Sequence, residues 1–358
     1  MRKPDVKVKN IKDLAAVLGI SVTTVSRVLN GKASLYRISP ATSDKVMNAA
    51  REFNYFPNSI ARGLRLEKTE TLGLIIPDIS NPFFASMART IELESRRQGY
   101  SIILCDSMDD MQTEKELLQL LGSRRVDGII LAPVGKKFDH IRECGKKGIP
   151  VVIIDRYMPG GSIPFITADN YQGARDAVEH LISAGHRTIA CIQGLKGISI
   201  NTDRVNGYTD ALKSHGLPVD ESLITGDDFG IENGYASTRM LMNRDNPPTA
   251  IFAFSNLIAL GVLRALNEYG LHIPADVSVV SFDDQPWFEF LASPMTTVEQ
   301  PREKIAGMAV DVLLDLIKNK SSGAKTGIML KPALIIRNSV GRPAAASSRV
   351  SAAGTKPV

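Results

Sequence analysis

Thr23, Ser26, Arg27 and Asn30 recur at i, i+3, i+4 and i+7, so on a helix they would form one polar stripe. Short hydrogen-bonding groups plus one guanidinium suit the base edges of a DNA major groove, because hydroxyls and amides donate and accept and an arginine can grip a guanine with two parallel bonds. Val22, Val25, Val28 and Leu29 of the same stretch are expected to point largely inward. Ahead of them, Ile11, Leu14, Ala15 and Leu18 lie at helical spacing. Gly19 permits a sharp turn, and Ser21 can cap the exposed amides of the second helix. The pattern predicts a helix, a glycine-centred turn and a second helix over residues 11–30. Ser39-Pro40 opens a third helix, running to about Phe53, with Val46, Met47 and Ala50 facing the first two.

Charge placement supports a nucleic-acid partner. Residues 1–67 carry 12 Lys or Arg against 5 Asp or Glu, a net of +7, so the rest of the +5 chain is at −2. The basic excess therefore sits with the candidate DNA reader, where phosphates need neutralising. Tyr55-Phe-Pro-Asn-Ser-Ile-Ala-Arg-Gly-Leu64 comes next, with Asn58 as a possible cap of a helix too short to be stable by itself. Such a segment can order on its target, two copies entering the minor groove together with Leu64 as an apolar wedge. A plain linker with Leu64 packed on a domain is the bland alternative.

At 358 residues, 44% hydrophobic and 23% charged, the chain is long enough for two or three globular domains. No apolar run could span a bilayer, and the N-terminus lacks a secretion-signal core, so a cytoplasmic protein is expected. Cys105, Cys144 and Cys191 are odd in number and lie among apolar residues, which reads as reduced core cysteines. No phosphate-binding glycine loop, metal-ligand spacing or nucleophile–base pair stands out, so neither catalysis, a cofactor nor a metal is expected.

From Thr71 the chain alternates short apolar runs (72–77, 101–105, 127–132, 151–155) with helical stretches such as 83–98 and 111–122. After Asp169-Asn170 the alternation restarts: helix near 171–184, strand 188–193, helix 204–215, strand 222–226, helix 232–243, strand 249–254, helix 256–270, strand 277–282. That argues for two doubly wound halves, each a parallel sheet covered by helices on both faces. Ligands of open α/β sheets sit beyond the carboxyl ends of the strands. Residues just beyond the ends of the apolar runs include Asp78, Ser80, Asn81 and Phe83, then Asp169 and Asn170, Ser255 and Asn256, and Asp283, Asp284 and Trp287. Arg204 starts the next helix, and Phe229 comes after Gly226-Asp-Asp. Carboxylates, amides and an arginine beside aromatic rings suit a sugar, whose hydroxyls need donors and acceptors and whose ring faces need flat apolar partners.

Residues 10–66 closely resemble the lactose-repressor/galactose-repressor (LacI/GalR) family of bacterial transcription regulators. The resemblance lies in Ile11-Lys-Asp-Leu-Ala15, Thr24-Val-Ser-Arg-Val-Leu-Asn-Gly31 and Pro57-Asn-Ser-Ile-Ala-Arg-Gly-Leu64. It continues through Gly73-Leu-Ile-Ile-Pro-Asp-Ile-Ser-Asn-Pro-Phe-Phe84, Arg125-Val-Asp-Gly-Ile-Ile130 and Pro274-Ala-Asp-Val-Ser-Val-Val-Ser-Phe-Asp-Asp284, to about Asn338. It implies a small all-α helix-turn-helix DNA-binding domain plus an α/β body of two doubly wound parallel-sheet subdomains, like the periplasmic binding proteins. The expected boundaries are 9–57 for the DNA-binding domain, 58–68 for the hinge and 69–340 for the effector-binding and dimerisation body. Within the body the chain is expected to cross back near Val298–Pro301 and near Leu330. The N-subdomain would take about 69–168 plus 300–329, and the C-subdomain about 169–299 plus 330–340. Residues 341–358 read as a disordered tail without a leucine heptad.

The resemblance also implies roles. Thr23 and Arg27 would read base edges with Val22 against a thymine methyl, while Lys12, Asn30 and Arg37 hold phosphates. Ser21, Thr24, Ser26, Asn58, Ala61 and Leu64 complete the candidate DNA contacts on a palindromic operator. Arg204 and Asp283 match the family's usual effector contacts, supported by Asn170, Phe83 and Phe229; the strand-end reading adds Ser80, Ser255 and Trp287. Each has a structural alternative: Asp283 as a turn cap, Arg204 in an ion pair, the aromatic rings as core. Two departures stand out. The loop between Gly31 and Ser39, with Leu35-Tyr36-Arg37, is about three residues longer than the family pattern, so Tyr36 and Arg37 could add phosphate contacts. Ser255-Asn256 replaces the usual Asn-Asp and removes a carboxylate from the cleft. The expected protein is a homodimeric operator-binding regulator, a repressor by expectation, answering to a sugar or sugar derivative. A second reading keeps the fold and puts a protein partner in control.

Overall fold

The computed structural model describes residues 8–55, 68–319 and 327–343. Contacts divide the chain into two units, one ending at Thr69 and one beginning at Glu70.

The first unit packs α1 (Ile11–Leu18), α2 (Val22–Leu29) and α3 (Pro40–Glu52) around Leu14, Ala15, Val25, Val28, Val46, Ala49 and Ala50. Each helix has a side-chain cap. Asn10 accepts from the Lys12 and Asp13 amides, Ser21 from the Thr24 amide and Ser39 from the Thr42 amide. Gly19 adopts φ 65°, a left-handed conformation that closes α1 and turns the chain into α2. Two inward assignments change: Val22 is 40% exposed and Met47 38%, with Ala49 taking the buried position on α3. Residue 22 is the first of α2 and reaches past the small three-helix core.

In the second unit, one sheet has the order β11-β5-β4-β3-β1-β2, all parallel. Its strands are β1 (Thr71–Ile76), β2 (Ser101–Asp106), β3 (Gly128–Leu131), β4 (Val151–Ile154), β5 (Phe165–Ala168) and β11 (Gly327–Leu330). The intervening helices are α4 (Pro82–Arg97), α5 (Met111–Ser123) and α6 (Asp139–Lys146), the last of which has no side-chain cap and was not anticipated.

The other sheet has the order β12-β10-β9-β8-β6-β7, parallel except where β12 runs antiparallel to β10. It comprises β6 (Ile189–Ile192), β7 (Ile224–Thr225), β8 (Ala250–Ala253), β9 (Ser278–Phe282), β10 (Thr296–Glu299) and β12 (Ala333–Ile335). Its helices are α7 (Asn170–Ser183), α8 (Ser199–Ser214), α9 (Ile231–Met242) and α10 (Asn256–Glu268). The long α11 (Arg302–Asn319) returns to the first sheet, burying Ile305, Ala309, Val310 and Leu313 there. The chain thus passes between sheets after Ala168, after Glu299 and after Leu330.

Strands β4, β6 and β8 are buried at every residue, which is why they read as unbroken apolar runs. Their burial at roughly 1.5–3 kcal/mol per large apolar side chain holds each half together. Three expectations are corrected. The run 222–226 is a strand only at Ile224–Thr225, because Asp220 caps a 3₁₀ turn over Glu221–Leu223. Helix α8 begins at Ser199 with no side-chain cap, so Arg204 lies in its second turn. The ordered chain continues past 340: the Gly341 amide donates to Ser278 Oγ at 3.0 Å, and its carbonyl lies 2.9 Å from His186 Nε2. Residues 344–358 lie outside the described residues. Among the described residues no helix is long and apolar enough to cross a membrane.

Candidate DNA-reading face and effector cleft

On the first unit, Ser21, Val22 and Thr23 form an exposed edge at the start of α2, and Thr24, Ser26, Arg27 and Asn30 are half-buried along it. Ser21 Oγ is engaged with Thr24, at 3.1 Å from its amide and 2.8 Å from its hydroxyl. Asn30 Nδ2 donates to the Ser26 carbonyl at 2.6 Å, so that amide closes the last turn of its own helix. Lys12 is exposed in the first turn of α1, and Arg37 is exposed in the α2–α3 loop at φ 52°. The Arg27 guanidinium lies over the Tyr36 ring, 3.7 Å from its centroid. Asn58, Ala61 and Leu64 lie outside the described residues.

In the second unit, the strand ends of the two sheets bring together a cluster of buried charges. Arg204 is 1% exposed. Its Nε donates to Asn170 Oδ1 at 2.8 Å, its Nη1 donates to the Phe254 carbonyl, and its guanidinium covers the Phe282 ring at 3.6 Å. Burial pulls its pKa down, and Asp283, Asp155 and Asp203 oppose that shift. Asp283 follows β9 at φ 72° and accepts from Gln300 Nε2 at 2.6 Å. Burial raises its carboxyl pKa, against the opposing field of Arg204.

Asp155 and Arg156, which come directly after β4, complete the cluster and were missed in the sequence. The strand-end rule that found Asp283 applies equally to them. Burial lifts the Asp155 carboxyl to about 6 although Arg156 and Arg204 oppose it, while Asp283 and Asp109 add to the rise. Arg156 Nη1 donates to Asp109 Oδ1 at 2.7 Å, and its guanidinium stands 5.8 Å from the Phe229 ring of the other half. Gly194 leaves room for that ring, since a Cβ there would meet it at 2.2 Å.

Three hydrogen bonds also join the halves. Asn256 Nδ2 donates to Asn81 Oδ1 at 3.2 Å. Tyr157 donates its hydroxyl to Asp203 Oδ2 and its amide to Ser199 Oγ, both at 2.9 Å. Among the described residues, the buried Asn256 Oδ1, Gln285 Nε2 and Gln300 Oε1 have no hydrogen-bond partner, and Arg156 Nε has only an ion-pair contact, 4.0 Å from Asp155 Oδ2.

The remaining expected effector residues have these surroundings. Ser255 is the cap of α10, accepting from the Ile258 amide at 3.1 Å and donating to the Phe229 carbonyl at 3.0 Å. Phe83 is 3% exposed in the core of the first half, edge-on to Phe84. Ser80 lies in an exposed turn with its hydroxyl on Asp78. Trp287 is 38% exposed on the 3₁₀ turn Pro286–Phe290, with Phe288 as its ring neighbour. Asp284, next to Asp283, is held by Arg337 at 2.7 Å.

A capped helix-turn-helix unit and a two-sheet body with charged strand ends define a DNA-binding transcription regulator with a periplasmic-binding-protein-like ligand domain. The chain belongs to the LacI family of bacterial regulatory proteins. The family model "Bacterial regulatory proteins, lacI family" matches residues 10–58, and "Periplasmic binding proteins and sugar binding domain of LacI family" matches residues 69–335. The HTH-type transcriptional regulator DegA of Bacillus subtilis (strain 168) is 35% identical over 332 residues, covering 92% of this chain and 97% of its own. A transcriptional regulator CelR–cellobiose complex is similar with a TM-score of 0.71 at 30% identity, over 93% of this chain and 100% of that one. A Lac repressor dimer bound to operator and the anti-inducer ONPF aligns with a TM-score of 0.82 at 26% identity, over 94% and 100%.

Proposed function

We propose that this chain is a homodimeric repressor of a palindromic operator, released by an uncharged sugar bound between the halves of its body. The observation that carries the sugar reading is the cluster of Arg204, Asp283, Asp155 and Arg156 beside buried polar atoms with no partner. Buried polar groups are nearly always paired, so the side-chain amide oxygens of Asn256 and Gln300 and the amide nitrogen of Gln285, left without hydrogen-bond partners, point to a ligand that both donates and accepts. Four carboxylates, Asp283, Asp155, Asp109 and Asp203, surround the two guanidiniums, so the cluster carries no excess positive charge and suits hydroxyls better than a phosphate. The cellobiose held by CelR is of the same chemical class.

The exposed edge of α2, with Val22, Thr23 and Arg27, is proposed to read bases. Ser21, Thr24, Ser26 and Asn30 set that edge by capping and closing the helix. Lys12 and Arg37 are proposed to hold phosphates, and Asn58, Ala61 and Leu64 to contact the minor groove. A ligand shifts operator affinity only by its differential affinity for two states of the body, and cross-half contacts such as Tyr157–Asp203 make one of those states. A thermal-melt panel of free sugars and sugar phosphates, with operator titration of any stabilising sugar, tests this. Stabilisation by a free sugar that also weakens operator binding is the expected result. A panel in which none stabilises, while a protein partner does, would overturn it.

A further inference from the structure

The α2–α3 loop is built to present one ring. Ala33 and Ile38 pack against the three-helix core, and the Ile38 amide donates to the Ala33 carbonyl at 2.9 Å. The turn between them is tightened by Tyr36 N to Lys32 O at 3.2 Å and Arg37 N to Ser34 O at 3.1 Å. The Lys32 amide in turn donates to the Arg27 carbonyl at 2.9 Å, which ties the loop to the helix turn that carries Arg27. Tyr36 stays 46% exposed, yet its ring lies under the Arg27 guanidinium at 3.7 Å. Tyr36 is not among the residues packed on the three-helix core, and its ring contact is with Arg27.

We propose that Tyr36 is a positioning residue for base recognition, holding Arg27 as a flat plate whose N–H edge faces the groove. A guanidinium stacked on a ring can make both contacts at once. Stacking uses the face of the guanidinium, whereas a bidentate grip on a guanine uses its edge in the same plane. An arginine confined before binding loses less rotamer freedom on docking, so the contact gains affinity and a narrower range of acceptable geometries. Tyr36 thereby contributes to sequence discrimination without touching the base. This rests on the proposed reading of α2 as the DNA-reading helix.

The test uses the full-length protein and an operator selected by it from random duplexes. Tyr36→Leu, Tyr36→Phe, Arg27→Ala and the double variant Tyr36→Leu/Arg27→Ala are titrated on that operator, on single-base-pair variants and on random DNA. Tyr36→Leu should weaken operator binding about 3- to 10-fold and relax preference at the base pair that Arg27→Ala also relaxes. Tyr36→Phe keeps the ring and should behave as wild type. In the Arg27→Ala background, Tyr36→Leu should change nothing further. The melting temperature of all four should match wild type, as the ring is outside the core. Tyr36→Phe losing as much as Tyr36→Leu, or equal losses on operator and random DNA, would make the hydroxyl a phosphate contact and overturn the proposal. Tighter binding by Tyr36→Leu would overturn it too, with the ring sequestering Arg27. Arg27→Ala without effect would sink the α2 reading itself, whereas a strong Arg27→Ala effect with a silent Tyr36→Leu would sink this inference and leave that reading standing.

Discussion

Arg204 is tied down by neutral partners: Asn170 Oδ1 receives its Nε proton at 2.8 Å, and no carboxylate oxygen lies within ion-pair distance of it among the described residues. Asp283 and Asp155 act on it through their fields instead. The guanidinium is therefore oriented without being neutralised at contact, an arrangement suited to a ligand oxygen. Asn170→Ala should leave Nε buried without an acceptor and cost about 1–3 kcal/mol of stability, read as a lower denaturation midpoint. An unchanged midpoint would mean that Arg204 finds another acceptor and is not held by Asn170.

Asp283→Ala should abolish the sugar's effect on operator binding while leaving affinity without sugar within a few-fold. The lost response corresponds to a coupling of about 1–3 kcal/mol. Operator titrations with and without sugar, for wild type and variant, measure it. A variant that still responds fully would make Asp283 a structural turn residue.

The Asp155 carboxyl titrates near 6, above its ordinary value of 3.8. Between those values the native state holds a proton that the unfolded state has lost, so stability from this group is full below 3.8 and falls as pH rises through about 6. Asp155→Asn should be more stable than wild type at pH 7.5, by about 3 kcal/mol, and nearly equal to it at pH 4. Paired chemical denaturations at the two pH values check this. A variant destabilised equally at both would show that a carboxylate hydrogen bond outweighs burial.

Tyr157→Phe removes the hydroxyl that crosses from the first half to Asp203 on α8 and keeps the ring stacked on Phe165 at 4.6 Å. Losing one such bond should raise the sugar's dissociation constant about 3- to 10-fold and reduce its effect on operator binding in step. Calorimetry with the stabilising sugar gives the first quantity. Unaltered binding and response would separate this contact from the switch.

Arg27→Ala should cost about 1–3 kcal/mol on a selected operator and relax preference at one base pair per half-site. Competition binding against operator variants reads both effects. Equal losses on operator and random DNA would reduce Arg27 to a phosphate contact.

What the chain determines by itself is local. Asn10, Ser21 and Ser39 cap their helices within three residues, Gly19 turns between them, and β4, β6 and β8 announce burial on both faces by unbroken apolar runs. These signals are short-ranged, so the helix-turn-helix unit and the two doubly wound sheets are legible in the sequence. Two boundaries carry no such signal: α8 starts without a side-chain cap, and a local Asp220 turn shortens β7. The cleft was half legible, because the rule about strand ends names candidates but does not say how they are used. Tertiary packing decided that Ser255 spends its hydroxyl as a cap, that Phe83 enters the core, and that Asp155 and Arg156 join Arg204 and Asp283. It also placed Tyr36 beneath Arg27. Burial and electrostatic field depend on groups brought together from distant parts of the chain, and no local pattern carries that information.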